Sequence, residues 1–352
     1  MHARKVAAAA VVLGSGEVFR AQLGGSPDEA IEWLRSLPGD VRAVYEAGPT
    51  GFGLARAARA VGLEVMVCSP GSIPRRPGDR VKTDTRDALK LARLHAAGQL
   101  RTVLVPEPSL EALRDLVRAR DDLRRDQMGA RHRISKMLLR RGLVFDGPGE
   151  TWSQRHLAWL ARARFDEPLA DVVLGEYLAC HELLLARRER LDRLICTQAG
   201  QERWAPLVGR LRCLRGIDTL SAVGLVAEIG DIHAFSYPKR LASYLGLVPS
   251  EQSSGTTRRQ GPITKAGSTH ARRLLVEAAW HYRRPPRVSL VVKRRQAGQP
   301  APAIEAAWRA QLRLHQRWAQ LDGVRAKRRT TVAVAVAREL ACFVWEIAQQ
   351  PD

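Results

Sequence analysis

At 352 residues and 45% hydrophobic content, the chain is long enough to build two or three domains with real cores. Its 57 Lys and Arg against 36 Asp and Glu leave a formal charge of +21, which points to a polyanionic partner, above all nucleic acid. No run of about 18 apolar residues and no signal-peptide pattern occurs, so a membrane protein is set aside and a soluble, cytoplasmic one is expected.

Residues 1–107 read as α/β. Two apolar runs flank Gly14-Ser15-Gly16, a hairpin signal, and a helix opens at Pro27. "VRAVYEAG" then reads as a short buried strand, "GFGLARAARAVG" as a helix and "LEVMVCSP" as a second strand. This order predicts a mixed sheet covered by helices. A Pro/Gly-rich segment leads into a further helix that begins within "RVKTDTRDALKLARL".

Residues 108–205 read as a helical, coiled-coil region. A first charged helix carries apolar residues at Leu113, Leu116, Val117, Leu123, Ile134 and Leu138, and "EYLACHELLLARRERLDRLICTQA" is able to pair back on it. Residues 206–352 read as a mostly helical domain. "LRGIDTLSAVGLVAEIGD" is like a helix-hairpin-helix, which presents backbone N–H groups to phosphates, and equally like a tight helical hairpin in a core. After it come the polar loop "GLVPSEQSSGTTRRQGPITKAGS", a helix over 269–282, the basic stretch "RRPPRVSLVVKRRQ" and two C-terminal helices. The five cysteines, Cys68, Cys180, Cys196, Cys213 and Cys342, show neither a CxxC pair nor zinc spacing and read as reduced thiols.

Three acids stand out against the basic background. Asp84 and Asp87, three residues apart, share one helix face. A local reading makes Asp84 the N-cap, with Asp87 serving the helix dipole. Glu46, however, lies in an apolar run, where an unpaired buried carboxylate is costly. A carboxylate on a strand and two at a helix start suit Mg²⁺, which takes hard oxygen ligands and activates phosphodiester chemistry. Arg80, Lys82 and Arg86 are placed to steady the phosphate.

The stretches "YEAGPTGFGL", "IPRRPGDRVKTDTRDALKLARL", "LRDLVRARDDLRRDQMGARHRISKMLLRRG", "LRGIDTLSAVGLVAEIGDIHAFSYPKRLASYLGLVPSEQSSG" and "GPITKAGSTHARRLLVEAAW" resemble, in the same order, the DEDD transposases of the insertion-sequence 110 family, especially its 1111 branch. The resemblance implies a RuvC-like, ribonuclease H-type first domain with an Asp, Glu, Asp, Asp tetrad on Mg²⁺. Glu46, Asp84 and Asp87 match its last three acids. The first Asp would fall immediately before Met1, so the first strand is expected to be truncated.

The same resemblance assigns the nucleophile to Ser254 of the "SG" motif, with Ser253 as fallback, and implies a phosphoserine link to DNA. Loop serines more often serve turns and caps. It further implies a structured guide RNA that pairs with donor and target DNA, and a homodimer or homotetramer whose active sites are shared between protomers. Contacts to nucleic acid are expected from Arg118, Arg125, Arg131, Arg133 and Lys136 on the first long helix, and from Arg258, Arg259, Lys265, Arg272 and Arg273 around the serine loop. Aromatic residues are sparse, so base stacking is not the expected mode. Two other functions stay open at this level. One is a hydrolytic RuvC-like nuclease; the other is a degenerate copy that binds nucleic acid without catalysis.

Overall fold

The computed structural model describes residues 4–74, 83–251 and 259–350. The chain divides into two compact units, residues 1–107 and 108–352.

In the first unit, β1 (Lys5–Val11) and β2 (Val18–Gly24) pair antiparallel over seven residues. Gly16 turns the hairpin with φ 74°. β1 is seven residues long and is paired along its whole length to β2. Helix α1 (Pro27–Ser36) starts where Pro27 follows the Ser26 cap, whose hydroxyl accepts from the Asp28 N–H. Its inward residues Ala30, Ile31 and Leu34 follow helical spacing.

β3 (Ala43–Glu46) and β4 (Val65–Cys68) pair parallel, joined through α2 (Gly53–Ala60), the kind of crossover a parallel pair requires. Residues 101–103 run along β4, with the Val103 N–H donating to Val67 O at 2.7 Å. Helix α3 (Asp84–Ala96) follows. The core of this unit is small: Ala30, Ile31, Tyr45, Leu54, Ala55, Ala58 and Val67. The single mixed sheet expected from the sequence is, among the described residues, two separate two-stranded ladders.

The second unit is helical. α4 (Pro108–Arg140) and α6 (Pro168–Ala199) pack along each other, as the sequence predicts, with α5 (Gln154–Arg162) between them in the chain. At about 1.5 Å per residue, the 33 residues of α4 span roughly 50 Å. Leu113 and Val117 of α4, with Ile195 and Ala199 of α6, join the same core as the C-terminal helices. The helical middle and the C-terminal region thus share one interior.

That interior is built by α7 (Ala205–Leu211), α8 (Thr219–Ile229), α9 (Pro238–Tyr244), α10 (Thr269–Ala279), α12 (Ala301–Ala319) and α13 (Arg329–Ala348), while α11 (Leu290–Gln296) lies outside it against α7. Ala303, Ala306, Ala307 and Ala310 of α12 are fully buried, as are Ala333, Ala337 and Ala341 of α13, which lets α12 and α13 pack closely. Gly216 has φ 86°, and a Cβ there would lie 2.7 Å from Ala278 O, so this turn is closed to any side chain. α8 is buried from Ala222 to Ile229, and its N-terminus is capped by the Asp218 carboxylate, 2.8 Å from the Ser221 N–H. The helix-hairpin-helix-like segment is accordingly a core hairpin whose helix start already holds an anion. A short ladder of β5 (Pro249–Glu251) with β6 (Gln260–Ile263) pairs Glu251 with Gln260, holding together the two ends of the serine-bearing segment.

Candidate nucleic-acid and carboxylate site

Glu46, Asp84 and Asp87 all line one cavity of about 1430 Å³ in the first unit. Glu46 is the last residue of β3 and is exposed, so it stands at the strand end and not, as the sequence suggested, in a buried interior. Its register partner on β4 is Cys68, a buried residue whose thiol is pushed up by burial and by the Glu46 charge. Asp84 opens α3 as its first residue, and the cap position belongs to Thr83, so the local reading of Asp84 as N-cap is corrected. Asp87 lies in the same first turn, its N–H bonded to Thr83 O at 3.0 Å. Both acids are exposed.

Three carboxylates supply the oxygen donors that a hard divalent cation takes. Among the described residues, no group of three His, Cys, Asp or Glu is close enough to hold a metal ion. The donor chemistry fits a cation; the present spacing of the three acids does not close around one.

The basic residues divide sharply. Arg272, expected at nucleic acid, is only 9% exposed, and its guanidinium donates to Leu245 O at 2.8 Å and Ala266 O at 2.7 Å. It fastens the loop before α10 to the end of α9 and is corrected from contact to scaffold. Arg273 pairs with Asp121 at 2.7 Å and Glu277 at 2.8 Å. Arg131 donates to His181 Nε2 at 3.1 Å and lies over the Trp152 ring. Arg125 bonds Asp121 and Asp122 across one helical turn. By contrast Arg86, Arg133, Lys136, Arg259 and Lys265 are exposed. Lys265 also holds a left-handed backbone, φ 56°, uncommon for a residue with a side chain. Lys82, Ser253, Ser254 and Arg258 lie outside the described residues.

Sequence reasoning missed Glu228. This buried carboxylate accepts from Arg118 Nε at 2.8 Å and Nη2 at 3.1 Å, and from the Ser268 hydroxyl at 2.8 Å, with His270 Nδ1 at 3.6 Å. Burial would raise its pKa, but the facing His270 imidazole, Arg118 and Ser268 outweigh that and hold it far below the usual carboxylate range. The Ser268 hydroxyl also caps α10 by accepting from the Ala271 N–H at 3.1 Å. One acid therefore ties α4, α8 and the start of α10 together. The signal was available, because "VGLVAEIG" sets one acid in an apolar run just as "VRAVYEAG" does.

Comparison with known proteins gives this arrangement its class. Residues 6–141 match the DEDD transposase model of the IS110 group, and residues 208–290 match "Transposase IS116/IS110/IS902 family". "Putative transposase y4qE" of Sinorhizobium fredii is 43% identical over 306 residues, covering 87% of this chain and 75% of the relative. "Transposase for insertion sequence element IS1533" of Leptospira borgpetersenii is 32% identical over 307 residues, 84% and 85% of the two chains. "Probable family 20 transposase" of Pseudomonas aeruginosa is 29% identical over 256 residues, 70% and 72%. The molecule is thus an insertion-sequence transposase, an enzyme of DNA recombination. Within that class, the chain belongs to the IS110 family.

Proposed function

We propose that this transposase moves its element by Mg²⁺-dependent cleavage and exchange of DNA strands through a covalent phosphoserine intermediate at Ser254. The observation that carries the reading is the meeting of Glu46 at the end of β3 with Asp84 and Asp87 in the first turn of α3, two separate places in the sequence, at one cavity of a chain with net charge +21. These are the residues that would hold the cation, within a first unit read as RuvC-like. When bound, a divalent ion supplies charge neutralisation at the phosphate.

The chain's own chemistry then balances as a transesterification. The Ser254 Oγ loses its proton and bonds to phosphorus as the bond from phosphorus to a deoxyribose oxygen breaks; that oxygen takes up a proton and leaves as a hydroxyl. Attack by a hydroxyl from the partner strand reverses the step, frees the serine and conserves the phosphodiester without ATP. Pairing of Glu251 with Gln260 supports the assignment by bringing together the residues that flank the serine segment. Exposed Arg86, Arg133, Lys136, Arg259 and Lys265 serve donor and target DNA and a structured guide RNA, neutralising phosphates while base pairing selects sequence. The working form is a homodimer or homotetramer with shared active sites, acting in the cytosol.

The test is a denaturing assay for a DNA–protein adduct with terminal-element DNA, guide RNA and Mg²⁺. An adduct that disappears in Ser254→Ala supports the reading, and one that disappears only in Ser253→Ala moves the nucleophile by one residue. Normal cleavage by both variants replaces it with hydrolysis by a nuclease. DNA binding without strand transfer, indifferent to Glu46→Ala, would mark a degenerate copy.

A further inference from the structure

The arginines of the last two long helices and of the turn between them have different fates. On α12, Arg309 pairs with Glu346, Arg313 with Glu339 at 3.0 Å and Arg317 with Glu339 at 3.1 Å, so α12 and α13 match their charges where they meet. The turn that joins them does not. It runs Arg325-Ala326-Lys327-Arg328-Arg329, cations at every position but one and no acid. Arg329 has Asp322 at 3.6 Å, whereas Arg325, Lys327 and Arg328 are exposed, and among the described residues none of the three pairs with a carboxylate. None of the basic residues assigned to nucleic acid above lies on this turn.

Its backbone is held in an unusual shape. Gln320–Val324 continue α12 as a π-helical turn, with the Arg325 N–H donating to Gln320 O at 3.1 Å. Such turns are rare and recur at functional sites. Ala326 then takes φ 46°, a left-handed backbone that a side chain disfavours, and the Lys327 N–H donates back to Leu321 O at 3.0 Å. Leu321 is buried, and the Trp318 indole N–H donates to Asp322 at 3.4 Å, so the turn is fastened to the core beneath it. A strained turn on a packed helix pair presents its three unpaired cations already ordered, which lowers the entropy lost on binding.

We infer that this turn is a separate phosphate contact, in which Arg325, Lys327 and Arg328 hold the phosphodiester backbone of a nucleic-acid duplex. Short runs of Lys and Arg suit that ligand, because each neutralised phosphate releases condensed counterions. An anionic membrane fits less well. Val324 is the one large apolar side chain that Gln320–Arg329 expose, and an interfacial anchor needs an apolar face. The inference rests on the reading of the chain as an enzyme of nucleic acid and is independent of the phosphoserine step.

The full chain carrying Arg325→Gln, Lys327→Gln and Arg328→Gln tests it, with affinity followed against salt in the absence of Mg²⁺ on a terminal-element DNA duplex and on an RNA duplex of equal length. A second triple variant, Arg187→Gln, Arg190→Gln and Arg193→Gln at exposed positions of α6, removes the same net charge elsewhere. The turn variant should weaken binding of at least one duplex by about tenfold or more and flatten its logarithmic salt slope by roughly two to three, with less than about a third of either effect in the α6 variant. The duplex that responds identifies the backbone held. Equal losses in the two variants would assign the effect to net charge and overturn the inference, as would undiminished affinity for both duplexes. Acetylation of Lys327 in the parent chain gives a readout free of any folding defect: it should slow at least about fivefold when duplex is bound. Slowing by anionic phospholipid vesicles and not by either duplex would make the partner a membrane and overturn it. Because neither readout needs strand transfer, loss of this contact and loss of the Ser254 adduct are separate outcomes.

Discussion

In the unit of residues 108–352, α8 buries eight consecutive residues, Ala222 to Ile229, whereas α3 in the unit of residues 1–107 buries none along thirteen. Both helices carry acids, and the acids have opposite fates. Glu228 is enclosed by Arg118, Ser268 and His270 and works as a structural tie; Asp84 and Asp87 stand exposed at a cavity rim. A buried, fully bonded carboxylate serves the packing of its unit, whereas Asp84 and Asp87 keep the exposure that the proposed chemistry requires.

The largest effect that sharpens this contrast is expected from Glu228→Ala. Removing one partner of a buried ion pair costs about 3–5 kcal/mol, and the lower end applies here because Arg118 keeps half its side-chain surface in water. The same group sets an acid limit. Its folded pKa is depressed, so its contribution is complete above the ordinary glutamate range and is lost as pH falls below that range toward the folded value. Chemical denaturation from pH 7 downward should show a stability loss that Glu228→Gln flattens.

Next comes a matched pair of truncations. Leu275→Ala in α10, at a fully buried site, should cost about 2–5 kcal/mol. Leu91→Ala in α3 should cost under about 1 kcal/mol, because its face borders the cavity and not a packed core. Equal losses in urea titration would break the comparison. The smallest stability effect belongs to Arg133→Ala, within about 0.5 kcal/mol, yet it should lower the salt dependence of DNA affinity by roughly one phosphate contact. Arg272→Met should do the reverse, destabilising by about 1–3 kcal/mol through two orphaned carbonyls while leaving the salt slope unchanged.

What was legible in the sequence was local. The hairpin at Gly16, the start of α1 at Pro27, the β3 and β4 runs and the pairing of α4 with α6 all follow from turn residues and short periodicities. Long-range pairing was not legible, because nothing within β1 or β3 states which strand lies beside it; the expected mixed sheet is two ladders. Charge misled in the same way. Arg272 looks like its neighbours in sequence, and only the carbonyls of Leu245 and Ala266, brought close by folding, reveal it as scaffold. The acids of the proposed site stand out in the sequence because an acid amid basic or apolar residues is conspicuous. Glu228 was equally conspicuous, and its meaning was fixed by partners as far away in sequence as Arg118.

The most direct test of the account is the strand-cleavage rate of Asp87→Asn on terminal-element DNA with guide RNA and Mg²⁺, measured beside DNA affinity and thermal stability. If Glu46, Asp84 and Asp87 form the catalytic carboxylate set, cleavage falls by about a thousandfold or more while affinity and stability hold near those of the parent chain. Cleavage at the parent rate would contradict it, and the cavity would then be a feature of the fold alone.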